Sequence, residues 1–393
     1  MIRLRLLVAL LIVASAGRAA AQESRAAAIA AQQDEKAKDL HPYVPPRVEQ
    51  FVTNLTAGFL APKSGFFPYL DSVYSGGGFT LGAGYRKFTG DNTHWEARGL
   101  YSIKNYKNLE VGIVSREHAH RRLNANVWVG FRDATQVAFY GLGIDTPPEA
   151  RSNFRLQQEY ATGAVEFKPF KWVVLEGKLG FENYSREEGR GSSPSIEQVF
   201  NDQTAPGIDA NPAYVHSEAS AAIDWRTAPG YSRRGGLYEV RIHDYNDTRD
   251  DFSFRDLDLN LVQHIPILRE NWVVSLRGQL QSELSGNTPF FLLPALGSGR
   301  SLRGYSSWRF RDRHAMLMTG EFRWIPSRLG LDMALFYDAG TVAPERRLLN
   351  FNDLATDWGI GARFHTPAAT VLRIEAAHGR EGWKLVFSAS GAF

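Results

Sequence analysis

Cysteine is absent from the 393 residues of this chain. Its absence excludes a disulfide framework, a thiolate metal site and a cysteine nucleophile. Long apolar runs are missing too. Beyond the N-terminus no stretch reaches the roughly 18 apolar residues that a transmembrane helix needs, which excludes a helical inner-membrane bundle. The sequence has no Walker loop and no G-x-S-x-G elbow. Charge of one sign is not in excess either. Arg3, Arg5 and Arg18 fall in a signal-like segment, and without these three of the 45 basic residues, 42 basic face 42 acidic side chains. Such a balance gives no footprint for nucleic acid.

The segment Met1 to Ala21 reads as a signal peptide. Arg3 and Arg5 form its charged start, Leu6 to Ala16 its short apolar core, and Ala19-Ala20-Ala21 its cleavage site. Residues 22–75 read as a periplasmic lead and linker. The lead is rich in Ala, Gln and charge, and His41-Pro42-Tyr43-Val44-Pro45-Pro46 is extended because proline fixes φ and removes amide donors.

From Gly76 to Phe393 the pattern changes. Apolar and polar residues alternate in segments of about ten separated by turns, the signature of an outer-membrane barrel wall. Aromatic residues make up 12% of the chain, a load that suits interfacial girdles. The segments number about 16, the even count of bacterial barrels. They run from 76–88 to 382–393, with 121–131 and 133–141 as separate strands joined at Arg132-Asp133. The connections alternate in length. Those at Lys168 to Lys171, Pro266 to Asn271 and Pro326 to Gly330 are short, whereas 142–152, 185–212, 284–312 and 342–353 are long. Pro229 to Gly235 is the one moderately long turn on the short side. The expected fold is therefore all-β: a transmembrane antiparallel β-barrel with a long inward-folding outer loop.

That loop carries Leu302-Arg303-Gly304-Tyr305. The strands after it separate into two faces. Met316, Met318, Gly320, Phe322 and Trp324 share one face, and Thr319, Glu321 and Arg323 the other. Leu331, Met333, Leu335 and Tyr337 oppose Asp332, Ala334, Phe336 and Asp338. The chain ends on alternating Trp383, Leu385, Phe387 and Phe393.

Leu302-Arg303-Gly304-Tyr305, Gly320-Glu321-Phe322-Arg323-Trp324, Phe336-Tyr337-Asp338-Ala339-Gly340 and Gly359-Ile360-Gly361 stand in the order and spacing of the BamA/TamA family, or bacterial surface antigen family. The chain resembles that family most strongly over 285–393. The resemblance implies that Arg303, on the sixth outer loop, reaches into the lumen and pairs with Glu321 and Asp338. A guanidinium offers a rigid donor fork to carboxylates, and stranding a buried charge costs about 3–5 kcal/mol. It also implies that Trp383, Leu385, Phe387 and Phe393 form a C-terminal sorting signal for barrel assembly. Family members that insert or secrete proteins carry periplasmic POTRA domains, and residues 22–75 are too few for one. The expected function is outer-membrane protein assembly or translocation, with a passive channel or structural barrel as the alternative. The expected partners are outer-membrane lipid, periplasmic assembly proteins supplied in trans, and unfolded outer-membrane proteins.

Other chemistry is weaker. His118 and His120 read as a solvated outer loop, and Asp244, Asp247, Asp250 and Asp251 as an acidic outer loop without EF-hand spacing. No residue is assigned a catalytic, metal-binding or cofactor-binding role.

Overall fold

In the computed structural model, residues 64–388 are described apart from 70, 250–251, 269, 327–329 and 366–369. The expected signal peptide, most of the lead, and Phe393 lie outside the described residues.

One sheet of 16 antiparallel strands forms the barrel, each strand pairing with its neighbours in chain order. The first six are β1 (Gly65–Tyr69), β2 (Thr80–Phe88), β3 (Thr93–Ser102), β4 (Lys107–Glu117), β5 (Leu123–Phe139) and β6 (Ser152–Phe170). Next come β7 (Val173–Glu188), β8 (Ala213–Asp224), β9 (Gly235–Asp247), β10 (Phe254–Leu268) and β11 (Trp272–Gly286). After a long loop follow β14 (His314–Trp324), β15 (Leu331–Ala343), β16 (Ala355–His365), β17 (Thr370–Gly379) and β18 (Gly382–Ser388). Two short strands, β12 (Ala295–Leu296) and β13 (Phe310–Arg311), pair with each other inside that loop. The end strands β1 and β18 share no ladder among the described residues.

The strand count agrees with the sequence, but through two offsetting differences. The segments 121–131 and 133–141 are one continuous strand, β5. Arg132-Asp133 looks like a turn because two charged residues stand together. Instead both side chains are taken across to β6: Arg132 Nη1 donates to Gln158 Oε1 at 3.0 Å, and Arg155 Nε donates to Asp133 Oδ1 at 2.8 Å. The break in pairing falls just beyond, as a bulge between Ala134 and Val137. The second difference is β1, which lies inside 22–75 and adds a strand where a linker was expected. Its register puts the long connections, including 140–151, 189–212 and 287–313, at one end of the barrel. The short ones at 89–92, 118–122 and 171–172 lie at the other. His118 and His120 therefore occupy the short-turn end, not an outer loop beside the long ones.

Alternation sorts the wall as a membrane requires. On β15, Met333, Leu335 and Tyr337 are exposed on the outside while Asp332, Ala334, Phe336 and Asp338 are buried inside. On β18, Trp383, Leu385 and Phe387 all face outward. No helix among the described residues is long and apolar enough to cross a membrane; the crossing is made by strands. The main apolar cluster sits at the long-loop end. There Ile196, Ala205 and Ile208 of 189–212 join Phe290, Phe291 and Leu293 over Phe139, Phe154 and Tyr214. A smaller cluster of Tyr231, Val273 and Ile325 marks the other end. The turn 225–234 folds inward there: Tyr231 stacks on His365 at 3.7 Å and donates to Asp332 Oδ2 at 2.6 Å.

Candidate functional site: the inward-folded loop

The connection between β11 and β14 spans 287–313. Pairing of β12 with β13 pinches its base, so the residues between form a compact loop with their own side-chain packing. Gly297 opens the turn at φ +103°, where a Cβ would fall 2.3 Å from Ser306 O. The tip then reaches the wall. Leu302 and Tyr305 are buried with Phe310, Leu317 and Val342, and Tyr305 Oη donates to Thr356 O at 3.1 Å. Gly304 lies so close to β16 and β17 that a Cβ would sit 2.5 Å from Asp357 Cβ and 2.8 Å from the Gly379 amide. Only glycine lets the backbone approach that closely.

Between Leu302 and Gly304, Arg303 is 2% exposed. Its Nε donates to Asp338 Oδ2 at 2.7 Å and its Nη2 to Asp338 Oδ1 at 2.9 Å, a bidentate fork. Its Nη1 donates to Glu321 Oε2 at 3.1 Å and to Glu375 Oε1 at 3.2 Å. The guanidinium also lies 3.4 Å from the centre of the Phe336 ring. One cation thus ties the loop to β14, β15 and β17 together. Arg363 on β16 completes the set by pairing with both oxygens of Glu321, and at 3.0 Å with Glu375 Oε1.

Glycines on the wall make the room. A Cβ on Gly359 would collide with the Phe336 ring at 2.4 Å, and one on Gly361 with Glu375 Cγ at 2.6 Å. The Gly359-Ile360-Gly361 pattern is therefore inward space for the ring under Arg303 and for its third acid, with half-exposed Ile360 outside.

The loop also reaches both ends of the sheet. Trp308 stacks on Tyr74 at 4.9 Å and donates through Nε1 to Ser75 O at 2.8 Å, in the connection between β1 and β2. Arg309 pairs with Glu381 in the turn between β17 and β18. Lys384 Nζ on β18 donates to Ser306 Oγ at 3.3 Å.

The structure therefore brings Arg303, Glu321 and Asp338 together, with Leu302, Gly304 and Tyr305 seating the tip. Sequence reasoning did not name Glu375 or Arg363, and it placed Phe336 on the inner face without linking it to Arg303. Alternation alone puts these three inward, but only the register sets them at the level of Arg303. Of the acids in 244–251, Asp244 pairs with Arg255 at 2.9 Å and Asp247 accepts from the Ala213 amide, while Asp250 and Asp251 lie outside the described residues.

Residues 222–378 match the Omp85 superfamily domain. The fold is similar to BamA from Haemophilus ducreyi lacking POTRA domains 1–3, at 14% identity and a TM-score of 0.60, covering 83% of this chain and 70% of that one. It is also similar to CdiB from Acinetobacter baumannii, at 10% identity and a TM-score of 0.52, covering 83% of this chain and 57% of that one. CdiB from Escherichia coli gives 10% and 0.52, with coverage of 79% and 59%. The chain thus spans less than two thirds of either CdiB structure. No curated protein sequence matches it.

Proposed function

Since the chain carries a BamA/TamA-like barrel of the Omp85 superfamily, we propose that it resides in a bacterial outer membrane and serves there in assembling or translocating proteins. The observation that carries this reading is the buried Arg303 fork on Asp338, Glu321 and Glu375. A passive pore gains nothing from filling half its lumen with a charged loop tip. A barrel that changes its wall gains a rigid brace between the loop and three strands. Leu302, Arg303, Gly304 and Tyr305 are the loop element of that brace, and Glu321 and Asp338 its wall acids. Trp383, Leu385, Phe387 and Phe393 act as the sorting signal through which the barrel itself is inserted. The role is non-enzymatic. Its partners are outer-membrane lipid, unfolded outer-membrane proteins, and periplasmic assembly proteins acting in trans.

Deletion tests it. Removing the protein lowers the outer-membrane content of other barrels or of a secreted protein, measured by quantitative proteomics of the outer membrane and the culture medium. Unchanged levels in both would overturn the assembly reading. Recovery of a POTRA-bearing periplasmic protein from mildly solubilised membranes would identify a partner in trans.

A second reading, a passive channel, draws on the other half of the lumen. A cavity of ≈ 370 Å³ there is lined by Arg98, Glu110, Arg132, Lys178, Glu182 and neighbouring aromatics. Steady conductance of the purified barrel in planar bilayers would favour it, and a silent bilayer would remove it.

A further inference from the structure

On the inner wall beside that cavity, four strands place a row of titratable side chains side by side. Glu218 on β8 stands opposite His243 on β9 in the register, and His216 lies two residues from Glu218 on the same face. His216 Nε2 is 3.1 Å from His243 Nδ1, and His243 Nδ1 is 3.5 Å from Glu218 Oε2. Carboxylates hold the far sides of both rings. Glu182 Oε1 on β7 lies 2.8 Å from His216 Nδ1, and Asp258 Oδ2 on β10 lies 3.5 Å from His243 Nε2. Tyr245 stacks on His216 at 3.9 Å and fixes the ring plane.

Those outer carboxylates dictate the tautomers. A proton on His216 Nδ1 satisfies Glu182, and one on His243 Nε2 satisfies Asp258, which leaves Nε2 and Nδ1 with bare lone pairs. The two lone pairs then converge, with a carboxylate oxygen beside them. Such an arrangement repels itself unless a proton or a metal cation sits at the meeting point. The spacing suits a metal. Two ligand atoms about 2.0–2.1 Å from one tetrahedral zinc lie about 3.3 Å apart, close to the 3.1 and 3.5 Å on either side of His243 Nδ1, and all three ligand atoms lie within 4.8 Å of one another. The carboxylate–histidine pairs at both ends are the outer partners that metal-bound imidazoles keep. Arg241 Nη1 takes the other oxygen, Glu218 Oε1, at 2.7 Å and leaves Oε2 toward the histidines. Lys178 Nζ stands 3.8 Å from both Glu182 and Glu218, on the cavity side.

We propose that His216 Nε2, His243 Nδ1 and Glu218 Oε2 bind a divalent transition-metal ion of the zinc class. The site is independent of the assembly reading. Three ligands from two adjacent strands would pin β8 to β9 near the long-loop end. None of the three stands out in the sequence, because they are 27 residues apart at the widest and meet only across the ladder.

The test uses the untagged full chain folded in detergent, titrated with Co²⁺ and back-titrated with Zn²⁺. The folded barrel takes up one Co²⁺ with the visible absorption of a low-coordinate site, Zn²⁺ displaces it, and the urea-unfolded chain releases it. H216A and H243A each weaken binding by more than about ten-fold, while the double variant H118A/H120A keeps it. If either lumen variant fails to reach heat-modifiable folded mobility, E182Q replaces it. That variant retains all three ligands, loses the charge behind His216, and weakens binding about ten-fold. Absence of saturable Co²⁺ uptake by the folded wild type would overturn the site. So would equal affinity in a folded H243A or E182Q barrel.

Discussion

The two sides of the lumen solve the problem of buried charge differently. Along β14–β17 the lumen is filled. Arg303 and Arg363 meet Glu321, Asp338 and Glu375 with almost no exposure, and Phe336 and the loop tip exclude water. Along β3–β9 the lumen is open. Arg98 pairs with Glu110, Tyr160 donates to Glu110 at 2.6 Å, and Lys178 stands off its acids around a cavity of ≈ 370 Å³. The same residue types line both sides. What differs is whether a loop arrives to desolvate them. In the filled half each charge depends on its partner, because no water can replace it. In the open half water can substitute, so single pairs contribute little.

That contrast can be broken first at Arg303. R303A takes the bidentate fork from buried Asp338 and leaves Glu321 and Glu375 to Arg363, with Arg323 at 4.0 Å from Glu321 and Arg373 at 3.6 Å from Glu375. It should destabilise the folded barrel by about 3–5 kcal/mol, read as a drop in the urea midpoint of heat-modifiable mobility. An unchanged midpoint would mean the filled half is not braced by this residue. R303K should recover only part of the loss, since a single ammonium cannot bridge three acids with a planar fork.

A steric change probes the same half without removing charge. G304A puts a methyl group against Asp357 and the Gly379 amide and should cost about 1–3 kcal/mol by displacing the tip. Faster protease cleavage within 297–309 is the readout; cleavage at the wild-type rate would show that the tip tolerates the extra carbon.

At the short-turn end, Y231F removes the donor to Asp332 Oδ2 and leaves that buried oxygen unpaired. The expected cost is about 1–3 kcal/mol. A loss as small as that of an open-half variant would mean water reaches Asp332 from below. The smallest effect belongs to the open half. K178A should cost less than about 1 kcal/mol, because its ammonium is partly exposed and 3.8 Å from either acid. A loss comparable to R303A would erase the distinction between the halves.

The wall itself was legible from alternation. A period of two, held over segments long enough to cross a bilayer, assigns each side chain to lipid or lumen before any contact is known. From Ala315 to Trp324 on β14 and from Leu331 to Asp338 on β15 burial alternates as parity demands, while beyond Asp338 both faces of β15 are covered. The motif at 302–305 marked the loop tip, and Glu321 and Asp338 marked the wall it meets. Composition misled where polarity stood in for geometry. Arg132-Asp133 read as a turn, yet cross-strand partners keep both residues within β5. Gly65–Tyr69 escaped notice because a five-residue strand is too short to show a period. The displaced register then put His118 and His120 at the wrong end.

The chain by itself determined the period, the two faces and the glycine-bounded tip that carries Arg303. Those are local properties, set by side-chain parity and backbone freedom. Tertiary structure alone decided which inward residues share a level: Glu375 and Arg363 with Arg303, Glu182 and His243 with His216. Parity fixes a face but not a height. Height comes from the stagger of one strand against the next, which each hairpin sets and the whole sheet accumulates.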